Sequence, residues 1–200
     1  HLLVEVDIGM GRCGVAPGAP VAELAAKIAV LPGVRFLGVM AWEGHVLAYT
    51  GDEKQSQISG AIGSLVESAE ACRRAGIPVE IVSASGSGTY LMSAHVNGLT
   101  EVQAGGGSFS DLNYHRWGLS ENEFALTVVT RVVSRPTPNR IIVDAGFKTL
   151  SVQHGNPKPL GLPPLESMLL TAEHGILEMK EPHDTPKVND LITFVPGYTD

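Results

Sequence analysis

The chain has 200 residues, of which 44% are apolar and 18% charged. The charged share is below the roughly 25% usual for globular domains, so long disordered tracts are excluded, and the length is enough to bury a core without disulfides. Lys and Arg number 14 against 21 Asp and Glu, for a net charge of −7, and no basic run occurs. This argues against nucleic acid or an anionic membrane surface as partner and points to a small molecule.

Residues 2–8 are mostly apolar and predict a strand, followed by a glycine-rich turn over residues 9–14 and a helix opened by Pro20 and closed at Pro32 and Gly33. A second strand is predicted over residues 36–42. Ile58, Ile62, Leu65, Val66, Ala69 and Cys72 then recur at helical spacing, with Gly76 as the natural end. Strands over 79–83 and 99–102 each run into a glycine-rich loop, at 85–89 and 105–107. After about residue 120 the pattern becomes consecutive strand-like runs at 124–133, 140–144, 176–179 and 191–195, with no good amphipathic helix among them. The expected organisation is therefore four βα units of a parallel sheet over 1–119 and a mostly antiparallel β domain over 120–200. Asp144 and Lys148 read as a strand-end ion pair of the second domain.

Cys13 and Cys72 are the only cysteines and form no CxxC, which leaves no basis for a disulfide framework or zinc finger and favours a reducing cytoplasm. No run of about 18 apolar residues and no signal peptide is visible. The chain opens directly on a strand and stops after residues 196–200, so it reads as an internal piece of a longer protein. Alone it is expected to expose unpaired strand edges.

Ligands of parallel sheets gather at the carboxyl ends of the strands. That rim carries Arg12, the 42–45 stretch, the 85–89 loop and the 103–108 loop. Gly9, Gly11 and Gly14 formally match the dinucleotide-binding spacing, but the second strand lacks the acidic residue that would hold the ribose. Two successive glycine loops, able to aim N–H groups and hydroxyls at one anion, fit a single phosphate better than a dinucleotide.

Six blocks carry a family resemblance: Val4-Glu-Val-Asp-Ile-Gly-Met-Gly-Arg-Cys-Gly-Val15, Gly38-Val-Met-Ala-Trp-Glu-Gly-His45, Val82-Ser-Ala-Ser-Gly-Ser-Gly-Thr89, Thr100-Glu-Val-Gln-Ala-Gly-Gly-Gly-Ser-Phe-Ser-Asp111, Val143-Asp-Ala-Gly-Phe-Lys148 and Glu173-His-Gly175. In this order they resemble the D-threonine aldolase and D-serine dehydratase family, alanine racemase-like enzymes of fold type III that use pyridoxal 5'-phosphate. The resemblance implies the second half of a (β/α)8 TIM-type barrel followed by a β domain incomplete at its C-terminal end. It implies a homodimer, an amino-acid substrate, and a lyase acting on D-β-hydroxy amino acids. Retro-aldol cleavage to glycine and an aldehyde is the leading expectation. Dehydratase-type elimination from D-serine or 3-hydroxyaspartate, and a catalytically silent cofactor-binding protein, are the alternatives.

Carried over by residue, Arg12 is expected near the phenolic oxygen of the cofactor and His45 as an acid/base beside its ring, with Trp42 in place of a tyrosine. Gln103 falls where alanine racemases place an arginine against the pyridine nitrogen. Gly105 and Gly106 match phosphate-contacting amides, and Ser85, Gly86, Ser87, Gly88 and Thr89 supply their partners from the neighbouring loop. The lysine that bonds the cofactor in this family is expected upstream of residue 1. A divalent metal (Mn, Mg or Zn) is implied by the family's His and Asp or Cys pair, of which this chain keeps Asp200 and has Tyr198 in the place of the histidine.

Overall fold

The structure, a computed structural model, describes residues 1–199. Two compact units divide between Gly105 and Gly106. The first holds a four-stranded parallel sheet of β1 (Leu2–Glu5), β2 (Phe36–Met40), β3 (Ile81–Ala84) and β4 (Glu101–Val102), in that order. Between them run α1 (Ala19–Ala29), α2 (Gly51–Arg74) and the single turn α3 (Tyr90–Ser93). The four predicted parallel strands are present, each hydrogen-bonded to the next along the chain, and the first three are followed by helices, whereas β4 runs directly into a 3₁₀ turn (Gly105–Ser108).

Periodicity explains the helices. Pro20 sits in the first turn of α1, where its missing N–H costs nothing, and Val21, Ala25 and Ile28 face inward. In α2, Ile58, Ala61, Ile62, Leu65, Ala69 and Cys72 form the buried stripe. Asp52 and Glu53 open that helix and Arg73 and Arg74 close it, each favourable to the helix dipole. These stripes join Val4, Val6, Val39, Ala41, Val82 and Ala84 of the strand segments in one core. Burying side chains of this size stabilises the fold by about 1.5–3 kcal/mol apiece before entropy is counted.

The second unit is a six-stranded antiparallel sheet of β5 (Val128–Thr137), β6 (Arg140–Val143), β7 (Lys158–Pro159), β8 (Leu165–Leu170), β9 (Gly175–Met179) and β10 (Leu191–Val195). Its order is β7-β10-β5-β6-β9-β8. Val132, Ile141, Val143, Leu150, Leu177, Met179, Ile192 and Phe194 make its core. The strand predicted to begin at 124 begins at Val128, because Phe124 stacks on His115 at 4.0 Å and the Ala125 N–H bonds the Phe109 carbonyl. Lys148 pairs with Glu173 rather than Asp144, whose Oδ1 accepts the Arg131 N–H at 2.8 Å.

Residues 106–119 join the second unit, although the strand-rich pattern starts only near 120. They fold as a short 3₁₀ turn (Gly105–Ser108), α4 (Leu112–Tyr114) and a π turn (His115–Leu119). The Leu112 and Asn113 N–H groups bond the carbonyls of Pro196 and Gly197, which ties this segment to the one after β10.

Candidate functional site

The carboxyl ends of β1, β2 and β3 carry the chemistry of the first unit. After β1, the Asp7 carboxylate folds the glycine turn around itself, its Oδ1 accepting the Gly9 and Gly11 N–H groups at 3.0 Å each. Those two bonds, the Gly11 one first, hold its pKa below the ordinary aspartate value, with a smaller electrostatic contribution from His45. The amides that a dinucleotide would require are therefore used by the protein itself, which removes the pyrophosphate reading of this turn.

His45 lies in a 3₁₀ turn (Gly44–Ala48) after β2, with its ring against Gly9. A Cβ on Gly9 would fall 2.6 Å from His45 Nε2, so only glycine admits the ring this closely. His45 Nδ1 is buried and has no hydrogen-bond partner among the described residues. The Arg12 guanidinium sits 5.1 Å from the Trp42 ring centroid, a cation–π contact on the exposed side of the turn. Trp42 in turn packs on Gly86, where a Cβ would meet its Nε1 at 2.7 Å. Arg12, Trp42, His45 and the 85–89 loop, far apart in sequence, thus meet on one rim.

The loop after β3 is tightly braced. Thr89 Oγ1 accepts the Gly86 N–H at 3.1 Å and lies 3.1 Å from Ser85 Oγ. The Ser85 N–H and the Thr89 hydroxyl both donate to Glu43, at 3.0 and 2.7 Å. Of the loop hydroxyls expected to face an anion, that of Thr89 is turned inward to a carboxylate. Gln103 Nε2 donates to Ser83 Oγ at 2.8 Å, and the Gly105 N–H bonds the Gln103 carbonyl. Sequence reasoning missed Glu43 and Lys54. Both are buried, and Lys54 Nζ donates to the Gly88 carbonyl at 2.8 Å. Burial pushes the Lys54 pKa below its ordinary value.

In the second unit, Gly106 lies against the Tyr114 ring, which a Cβ there would strike at 2.5 Å. Asp111 is fully buried. Its Oδ1 accepts the Asn113 and Tyr114 N–H groups at 2.8 and 2.7 Å, and its Oδ2 accepts the N–H and hydroxyl of Thr199 at 2.8 and 2.9 Å. Tyr198 is set among rings, with centroids of His154, Tyr114 and Trp117 at 4.7, 6.0 and 6.2 Å. Asp200, the expected metal carboxylate, lies outside the described residues. Among those residues no three His, Cys, Asp or Glu side chains are placed to hold a metal ion, and a phenol walled by rings is a poor substitute for an imidazole ligand. The described residues do not fit a divalent site.

The rim does fit pyridoxal phosphate. It combines a fixed guanidinium over an indole, a buried imidazole nitrogen lacking a partner, and a glycine loop whose Gly88 N–H makes no hydrogen bond among the described residues.

Comparison with known proteins places the chain. Residues 1–113 match the family described as alanine racemase, N-terminal domain, and residues 125–200 match the putative serine dehydratase domain. A D-threonine aldolase of Arthrobacter sp. is 34% identical over 203 residues, covering all of this chain and 54% of the relative. A 3-hydroxy-D-aspartate aldolase of Paracoccus denitrificans is 32% identical over 210 residues, covering all of this chain and 53% of the relative. The crystal structure of D-threonine aldolase from Filomicrobium marinum superposes with a TM-score of 0.90 at 30% identity, over 98% of this chain and 54% of that one. The chain spans about half the length of the curated relatives it matches. With its parallel sheet matched to the racemase domain and its antiparallel sheet to the dehydratase domain, the chain belongs to the D-threonine aldolase and D-serine dehydratase family of fold type III pyridoxal-phosphate enzymes, and carries the second half of their barrel with much of the β domain.

Proposed function

We propose that this chain forms part of a pyridoxal-phosphate lyase that cleaves D-β-hydroxy amino acids to glycine and an aldehyde. The observation that carries the reading is the convergence of Arg12, Trp42, His45 and the 85–89 loop on one rim of a sheet that superposes on a D-threonine aldolase. Bound there, the cofactor would supply an electron-accepting ring for charge developing at the substrate Cα.

Trp42 offers the flat apolar wall, and Arg12, held over it, a permanent positive charge at the rim. Ser85, Gly86, Ser87, Gly88 and Thr89 shape the phosphate loop, with Gln103 and Gly105 beside it. Retro-aldol cleavage moves the β-hydroxyl proton to a base as the Cα–Cβ bond breaks. His45 Nδ1, buried and unpartnered, is the atom we assign to hold that proton. A homodimer working in the cytoplasm completes the reading. The two free cysteines, Cys13 exposed and Cys72 buried, suit a reducing compartment. Among the described residues no helix is long and apolar enough to cross a membrane.

The second reading, elimination of water from the same substrate class followed by hydrolysis of the resulting enamine to a 2-oxo acid and ammonia, is favoured by the match of residues 125–200 to a putative serine dehydratase domain. The full-length enzyme supplied with D-threonine separates the two. Glycine with acetaldehyde is the expected product pair, and His45→Ala should slow their formation about 100-fold or more. Ammonia with a 2-oxo acid would replace the aldolase reading by the dehydratase one. Cofactor binding without turnover of any D-β-hydroxy amino acid would leave the silent alternative.

A further inference from the structure

Two buried charged side chains underlie the 85–89 loop, and neither is among the residues that the resemblance singles out. Glu43 is 0% exposed and Lys54 6%. Groups of this kind are retained out of water only where their hydrogen bonds are made, and here both side chains bond to the loop. Glu43 Oε2 receives the Ser85 N–H, and its Oε1 receives the hydroxyls of Thr89 and, at 3.0 Å, of Ser93. Lys54 Nζ donates to the Gly88 carbonyl. The carboxylate thus fixes both ends of the loop, and the ammonium fixes the peptide between them.

This bracing has a direction. Ser85 stands at φ +79°, a left-handed conformation that non-glycine residues rarely adopt, and its N–H is held there by Glu43. An anion is attracted by N–H groups and repelled by carbonyl oxygens. With the Gly88 carbonyl pinned on a buried ammonium, its oxygen is kept away from an incoming anion. The Gly88 N–H has no hydrogen bond among the described residues to compete for it. A loop already fixed in the receiving shape loses little entropy on binding.

We propose that Glu43 and Lys54 are positioning residues for the cofactor phosphate: acting through the 85–89 loop, they set how much the phosphate group adds to cofactor affinity. This rests on the pyridoxal-phosphate reading given above. The test compares the dissociation constants of pyridoxal phosphate and of pyridoxal, which lacks the phosphate, by absorbance titration of the full-length apoprotein. The variants are Glu43→Gln, Lys54→Met and Ser93→Ala. Glutamine leaves one of the three donors facing another donor. Methionine keeps the length of Lys54 and removes its bond to Gly88. Ser93→Ala removes one donor to Glu43 outside the loop.

The preference for the phosphorylated form is expected to fall about 10-fold in the first two variants and about 2- to 5-fold in Ser93→Ala, with pyridoxal affinity unchanged within about twofold. A role confined to stability would weaken both ligands equally, and an unchanged preference in the folded variants overturns the proposal. If Glu43→Gln does not fold, Lys54→Met and Ser93→Ala decide the matter by the same comparison. A wild-type protein that shows no spectral change with either ligand overturns the pyridoxal-phosphate reading itself, and the positioning role with it.

Discussion

Asp7 shows how one side chain can redirect a motif. The spacing of Gly9, Gly11 and Gly14 matches a dinucleotide turn, yet Asp7 Oδ1 takes the first two N–H groups and closes the turn on itself. Because these bonds favour the ionised form, the folded pKa lies below the value of about 3.9 in the unfolded chain. The contribution of Asp7 to stability is therefore complete above that value and is lost as the pH falls through the lower, folded one. Amide exchange at Gly9 and Gly11 should speed up only in that acidic window. In Asp7→Ala it should be fast at neutral pH as well; slow exchange there would show that the turn stands without its carboxylate. Glu43 illustrates the opposite case, a residue that sequence could not reveal. An acid after a strand end reads as solvent-facing, and its donors lie 42, 46 and 50 residues further on. That Arg12 and His45 fall on turns after β1 and β2 was legible because their motifs are local, whereas the inward turn of the Thr89 hydroxyl was not, since its buried acceptor, Glu43, is distant in the chain.

Among the elements, α1 and α2 were legible because each buries one stripe at helical spacing, and β1, β2 and β3 because they form short apolar runs, whereas β4, exposed at both residues, was marked by the glycine-rich turn that follows it. β7 and β8 were not. β7 has two residues, and β8 is the outermost strand of its sheet, bonded only to β9, with a register shift and no clean alternation of exposure. α4, of three residues, is likewise too short for periodicity. It is held instead by Asp111, which caps its first turn and grips Thr199. Asp111→Ala would leave four donors without their acceptor, and the second unit should lose about 2–3 kcal/mol. Denaturant unfolding of the full-length protein measures that loss. The fluorescence of Trp117, edge-on to Tyr114 and Tyr198, should shift in the native baseline as the Thr199 segment loosens. An unchanged midpoint would mean that the π turn and its backbone bonds suffice.

At the scale of the molecule, the four-stranded sheet has two terminal strands, β1 and β4, each bonded to one neighbour, with Leu2 and Val102 both 40% exposed. Open edges with exposed apolar residues pair readily with other chains. The 200-residue chain on its own should therefore self-associate at micromolar concentration in sedimentation velocity. A single monomeric boundary that unfolds cooperatively would contradict this.

The two sheets also differ in how far apart in the chain their neighbours lie. In the first, spatial order is chain order, so each strand leaving the ribosome can dock at once on the one before it. In the second, β5 lies between β6 and β10, and Thr130 on β5 meets Ile192 on β10 across 62 residues. One side of β5 thus stays bare through the synthesis of four intervening strands, which makes that interval the period of nascent-chain life in which chaperone occupancy matters most.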